Sequence, residues 1–150
     1  MQNGNSKKIW DLLNTVPDPE IPVISIVELG VIREIEFLNN SYIISITPTY
    51  SGCPAVKTFQ DDIKSCLHKH NVKNFQIKLV NSPAWTTDWM SEKVKKKLIK
   101  YGISPPSEIV VCPQCKSTST ILISEFGSTA CKSFHKCNDC LEPFEHFKCI

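Results

Sequence analysis

No apolar run in this sequence approaches the roughly 20 residues that a membrane-spanning helix needs, so a helical span is not expected. An excess of one charge is also missing. The 17 Lys and Arg against 15 Asp and Glu leave a formal charge of +2, which argues against a dominant electrostatic partner. The opening residues, MQNGNSKKIW, lack the apolar stretch of a secretory signal, and the final FKCI places its cysteine one position too late for a prenylation box. Internal repeats and low-complexity tracts are lacking too. Together these absences predict a soluble, cytoplasmic protein. Cysteine is scarce over the first 111 residues, where only Cys53 and Cys66 occur.

What is present is uneven. Six of the eight cysteines crowd into the last 39 residues. Disulfides are rare in a reducing cytosol, so this density points to metal binding or thiol chemistry. CPQC (112–115) and CNDC (137–140) are two C-x-x-C knuckles separated by 21 residues. Each knuckle turns two thiolates toward one point, and two of them complete a tetrahedral four-sulfur site that suits Zn²⁺, with a single iron chemically possible in the same cage. Cys112, Cys115, Cys137 and Cys140 are therefore the expected metal ligands. A segment of about 40 residues has little core of its own, and metal binding would supply on the order of 10 kcal/mol or more of its folding free energy. Cys131 and Cys149 lie outside the knuckles and are read as buried thiols, with a second soft-metal site including Cys53, or a disulfide, as alternatives. His135 and His146 are weak competitors for a cage already filled by cysteines.

The apolar fraction of 41% supports a packed core in the rest of the chain. Ile9, Leu12, Leu13 and Val16 keep helical spacing and predict a helix over 5–16, which PDPEIP (17–22) ends. Alternation through Val31, Ile35 and Phe37, then Tyr42, Ile44 and Ile46, predicts a hairpin turning at NNS. Val56, Phe59, Ile63, Cys66 and Leu67 predict a second helix to about His70, with Cys66 in the core. FQIKLV predicts another strand. A last helix is expected with Asp88 as its cap, Met90, Val94, Leu98 and Tyr101 as its stripe, and Gly102 at its stop. Short strand-like runs follow (IVV, TILISEF, SFHK, PFEHF). The fold class is α+β, a small α/β sandwich domain over 1–106 followed by a zinc ribbon over 107–150.

In TYSGCPA (49–55), Gly52 allows a tight turn and Pro54 suits the first turn of a helix. Cys53 would then be the N-cap, facing free amide donors and the positive end of the helix dipole, which lowers a thiol pKa. Local chemistry leaves two readings level: a buried small side chain, or a working thiol. Asp18 and Glu20 of DPE sit on a rigid irregular loop. One carboxylate beside one thiol would make a sparse metal site with open positions, suited to transient holding of iron or a cluster.

VPDPEIPVISIVELGVI followed by ITPTYSGCP resembles the small α/β family of iron–sulfur assembly factors. SPAWTTDWMSEKVKKKLIKYGISPP, CPQC and SEFGSTACKSFHKCNDCLEPFEHFKCI narrow the resemblance to the PaaD family, accessory proteins of the ring-1,2-phenylacetyl-CoA epoxidase system. The resemblance covers nearly the whole chain in order. It implies a protein that is not itself a catalyst and that matures or inserts an iron–sulfur cluster or iron into the reductase or oxygenase component. Carried over by motif, Cys53, Asp18 and Glu20 would hold that cargo, with Cys53 as a ligand rather than a covalent nucleophile. A covalent role needs a base, and within this domain only His68 and His70 are available, about 20 Å or more along the helix.

Three rival readings stand beside this one. A structural subunit of the oxygenase is one. A nucleic-acid- or protein-binding ribbon is another; the five lysines of KVKKKLIK alternate with apolar positions and read as a solvated helix face, so nucleic acid is not an expected partner. A thiol–disulfide oxidoreductase using CPQC is the third, set against a second pair that completes a metal cage. Finally, Trp85 and Trp89 flank Thr86, Thr87 and Asp88 in a loop, a candidate partner surface because rigid aromatics anchor interfaces.

Overall fold

The computed structural model describes residues 4–49 and 55–150. The chain divides into two compact units, Met1–Trp85 and Thr86–Ile150. The boundary expected at 106/107 therefore falls inside the second unit. The reason is β4 (Ile103–Ser104), which joins the C-terminal sheet and brings the helix before it into that unit. No described helix is long and apolar enough to cross a membrane.

In the first unit, α1 (Gly4–Leu13) leads through the DPE loop to β1 (Ile32–Leu38) and β2 (Ser41–Ile46); α2 (Val56–Lys69) and β3 (Phe75–Leu79) follow. The sheet order is β1-β2-β3, antiparallel between β1 and β2 and parallel between β2 and β3. A parallel neighbour requires a crossover, and α2 provides it. Asn39 and Asn40 close the hairpin with φ of 52° and 60°, the doubly left-handed turn whose twist matches its strands. Helix α1 packs on β1 and α2. Ile9, Leu13, Phe59, Ile63 and Leu67 from the helices and Ile35, Ile44 and Ile46 from the strands are all buried.

Two expectations shift here. Helix α1 ends at Leu13 rather than at residue 16, because Thr15 and Val16 donate to Leu12 and Leu13 in a tighter turn. Val16 stays buried, so the apolar periodicity outlasts the helix. Cys66 is half-buried rather than in the core, and its thiol donates to the Leu12 carbonyl at 3.4 Å.

In the second unit, Thr87–Trp89 form a short 3-10 turn before α3 (Glu92–Tyr101). Ser91, not Asp88, caps α3: its hydroxyl accepts from the Val94 N–H at 3.3 Å. Gly102 ends the helix in the left-handed region at φ 90°, as its position implied. Tyr101 is exposed rather than part of the stripe. After β4 come β5 (Thr120–Ser124), β6 (Lys132–Cys137) and β7 (Pro143–Phe147), in the sheet order β4-β7-β6-β5. IVV (109–111) is not a strand, and Ile103–Ser104 pairs with β7 instead.

Candidate metal centre and the acidic loop

Cys112 and Cys115 sit on the turn before β5, Cys137 ends β6, and Cys140 lies in the turn to β7. Their four sulfur atoms lie within 4.8 Å of one another. Cys112 to Cys140 is 3.6 Å and Cys115 to Cys137 is 3.5 Å. A tetrahedron of sulfurs about 2.3 Å from a central ion has edges of about 3.8 Å, so the cage fits a tetrahedral metal with little adjustment. Cys112 and Cys137 are buried, whereas Cys115 and Cys140 are exposed. The site thus has a wall inside the fold and an open lip.

Both knuckles share one backbone device. The residue after each second cysteine, Lys116 and Leu141, is left-handed, with φ of 66° and 65°. Cys112 N–H donates to Ser117 at 2.9 Å, and Cys137 N–H to Glu142 at 2.9 Å. The turn then aims further N–H groups at sulfur: Asp139 and Cys140 at Cys137, Ser117 at Cys115, and Glu142 at Cys140. Glycine is the usual signal for such a turn, and its absence from both positions hid the symmetry from sequence reading. The Ser117 hydroxyl donates to the Asp139 carboxylate and ties the two knuckles together.

These donors set the protonation of the metal-free thiols. N–H donation from Cys140, ahead of the opposing effect of burial, lowers the Cys137 thiol to about 7. For Cys140 the Glu142 N–H pulls downward, yet desolvation and the neighbouring thiols outweigh it and raise the group to about 12. A thiolate ligand must lose its proton, so metal affinity falls as pH falls. Below about pH 7 Cys137 also holds a proton that the metal must displace. The loss should then steepen by one proton, about tenfold more per pH unit. Chelator competition above and below pH 7 measures this; an unchanged slope would refute it.

His135 and His146 stay out of the cage. The His135 Nε2 is 2.8 Å from the Ser133 hydroxyl, and the four-cysteine group includes neither ring. Cys131 is buried and lies 3.0 Å from Thr129 Oγ1. Cys149 is an exposed free thiol, which corrects its reading as buried. No disulfide joins it to Cys131.

The acidic loop of the first unit has a different character. Asp18 is buried, and its Oδ2 accepts the N–H groups of Glu20 at 2.9 Å and Ile21 at 2.8 Å. Its own N–H donates to Ile24 at 2.7 Å, and Pro17 bridges Ser25. The carboxylate therefore shapes the loop. Glu20 is half-buried. Removing Asp18 strands two backbone donors, and hydrogen bonds to charged groups are worth about 1.5–3 kcal/mol. Asp18→Ala should lower the melting temperature of the first unit by roughly 10 °C, and Asp18→Asn by less. An unchanged melt would show that the carboxylate does not hold the loop together.

Cys53 lies outside the described residues. The N-cap of α2 is Ala55, with no side-chain cap bond. In the expected partner loop, Trp85 is buried and its indole donates to the Leu29 carbonyl at 2.8 Å. Thr87 is buried and accepts from the Ile150 N–H at 3.2 Å, while Thr86 donates to the Ile150 carbonyl at 2.7 Å. Trp85, Thr86 and Thr87 thus have structural partners. Asp88 is exposed and Trp89 half-buried.

Residues 101–148 match the PaaD zinc beta ribbon domain, and residues 6–72 match the iron–sulfur cluster assembly protein family. A protein of Escherichia coli K12, provisionally named as a subunit of 1,2-phenylacetyl-CoA epoxidase, is 45% identical over 95% of this chain and 92% of its own length. The Bacillus subtilis Fe-S protein maturation auxiliary factor YitW is 32% identical over 63% of this chain and 94% of its own. A crystal structure of a DUF59 domain, of unknown function, from Bacillus anthracis superposes with a TM-score of 0.57 at 30% identity, covering 61% of this chain and 89% of that one. Fold and site define an iron–sulfur-assembly-type α/β unit followed by a four-cysteine ribbon. The chain belongs to the PaaD family.

Proposed function

We propose that this chain is a non-catalytic accessory protein that helps iron or an iron–sulfur cluster reach the reductase or oxygenase component of a phenylacetyl-CoA epoxidase. The observation that carries the reading is the pairing of two likenesses. Nearly the whole chain matches a protein named as an epoxidase subunit, and the larger part of it matches proteins named as iron–sulfur maturation factors. The roles divide between the units. The ribbon cage holds a structural Zn²⁺, because four thiolates in closed tetrahedral array leave no open position for chemistry. The first unit handles the cargo, with Cys53 and Glu20 as ligands and Asp18 as the residue that shapes the loop carrying Glu20.

The test is co-expression. A reductase produced with this chain should carry its full iron and sulfide content, and one produced without it should carry less. Equal occupancy in the two preparations would sink the proposal. The name of the E. coli relative favours a second reading, a structural subunit of the oxygenase. Stoichiometric co-purification with the oxygenase, combined with equal occupancy, would select it.

A further inference from the structure

In the second unit, a groove of about 340 Å³ runs between α3, the segment from Ser104 to Ser107, and the first knuckle. Its volume lies in the range of small-molecule sites, about 300–1,000 Å³. Ile99, Pro105, Pro106, Val111 and Pro113 give it apolar walls. Lys95 and Lys116 line it against the single carboxylate of Glu92, which already pairs with Lys95 at 3.4 Å. Apart from Cys112, which also lines the groove as part of the four-sulfur cage, the charged lining side chains leave one surplus positive charge.

One of the lining residues is an unusual polar group. Ser104 lines the groove, is fully buried, and its hydroxyl has no hydrogen-bond partner. Its register partner across the β4–β7 pair is His146, whose buried Nε2 is likewise unpartnered. The His146 ring lies close to the backbone of Pro105 and Ser107, both of which line the groove. A buried hydroxyl without a partner is destabilising, and such groups in native proteins call for an explanation. Apolar walls, surplus lysine charge and an unused hydroxyl in the lining describe the complement of a small amphipathic acid.

We infer that this groove is a binding site for a small organic carboxylate, its apolar body against Ile99 and the prolines, its head group held by Lys116 and the Ser104 hydroxyl. The inference is independent of cargo delivery, which concerns the first unit.

The test uses the full, metal-loaded chain with hexanoate and benzoate as probes and hexylamine as the cationic control, followed by amide chemical shifts. Both acids should give saturable shifts at α3, Ser104–Ser107 and 111–116, with Kd on the order of 1 mM for ligands of this size. Hexylamine should give none there. Ser104→Ala removes an unsatisfied hydroxyl and should fold at least as well as the parent. It should weaken hexanoate about fivefold to tenfold, as should Lys116→Met. Absence of saturable shifts, equal binding of hexylamine, or unchanged affinity in both variants would each overturn the inference.

Discussion

Cys115→Ser is expected to empty the four-sulfur cage and unfold strands β5 to β7, while Met1–Trp85 stays folded. Around the cage the buried apolar cluster is Cys112, Cys137 and Phe144, with Val110 packed against it. Two of those three buried residues belong to the four-cysteine cage, so the cluster has almost no core apart from the cage itself. Structural zinc in zinc-finger peptides contributes about 10–16 kcal/mol at pH 7, comparable to a typical domain's whole net stability of about 5–15 kcal/mol. A serine hydroxyl is a harder, poorer ligand than a thiolate for such a metal. Cys115 is exposed, so the substitution leaves no buried cavity, and any unfolding reports on the metal rather than on packing. Metal analysis should show loss of bound zinc. Hydrogen exchange should show lost protection in β5, β6 and β7, with α2 and β1–β3 protected as before. One equivalent of zinc retained in this variant would overturn the assignment.

Cys53→Ser is expected to leave the fold intact and impair delivery of iron. Helix α2 has Ala55 as its N-cap, and Phe59, Ile63 and Leu67 hold it to the core. The variant should therefore be soluble, melt close to the parent and keep its ribbon zinc. Losing one ligand from a sparse, open site should weaken hold on the cargo by about tenfold or more. In cells that depend on phenylacetate, the reductase or oxygenase should then be poorly loaded and growth slowed. Normal cofactor occupancy and normal growth would show that the thiol has no part in delivery. The Asp18→Ala variant is the necessary companion, because it should lose stability first. Failure of delivery with an unchanged melt separates a ligand from a residue that shapes the loop.

The features decided by the sequence itself are those that depend on local spacing. The hairpin through Asn39 and Asn40, helix α2, the Gly102 stop and the four-cysteine cage follow from short-range periodicity, turn chemistry and knuckle spacing. In each, the residues that matter lie within a few positions of one another, or form a ligand set whose only economical solution is one metal. The α+β class with its ribbon was legible for the same reason.

Tertiary structure decided the rest, through contacts between residues far apart in the chain. Trp85 reads as an interface anchor until the Leu29 carbonyl, 56 positions away, accepts its indole N–H. Thr86 and Thr87 read as loop surface until Ile150 pairs with them. Asp18 reads as a carboxylate available for cargo because an acceptor's backbone donors leave no trace in residue type. Helix α3 goes with the ribbon because two residues, Ile103 and Ser104, extend the sheet beside β7. The Ser104 groove is invisible in sequence altogether, since a small polar residue in SPP-like surroundings looks like linker. Only the fold removes that hydroxyl from water, and it does so by setting β4 beside a strand about 40 residues later in the chain.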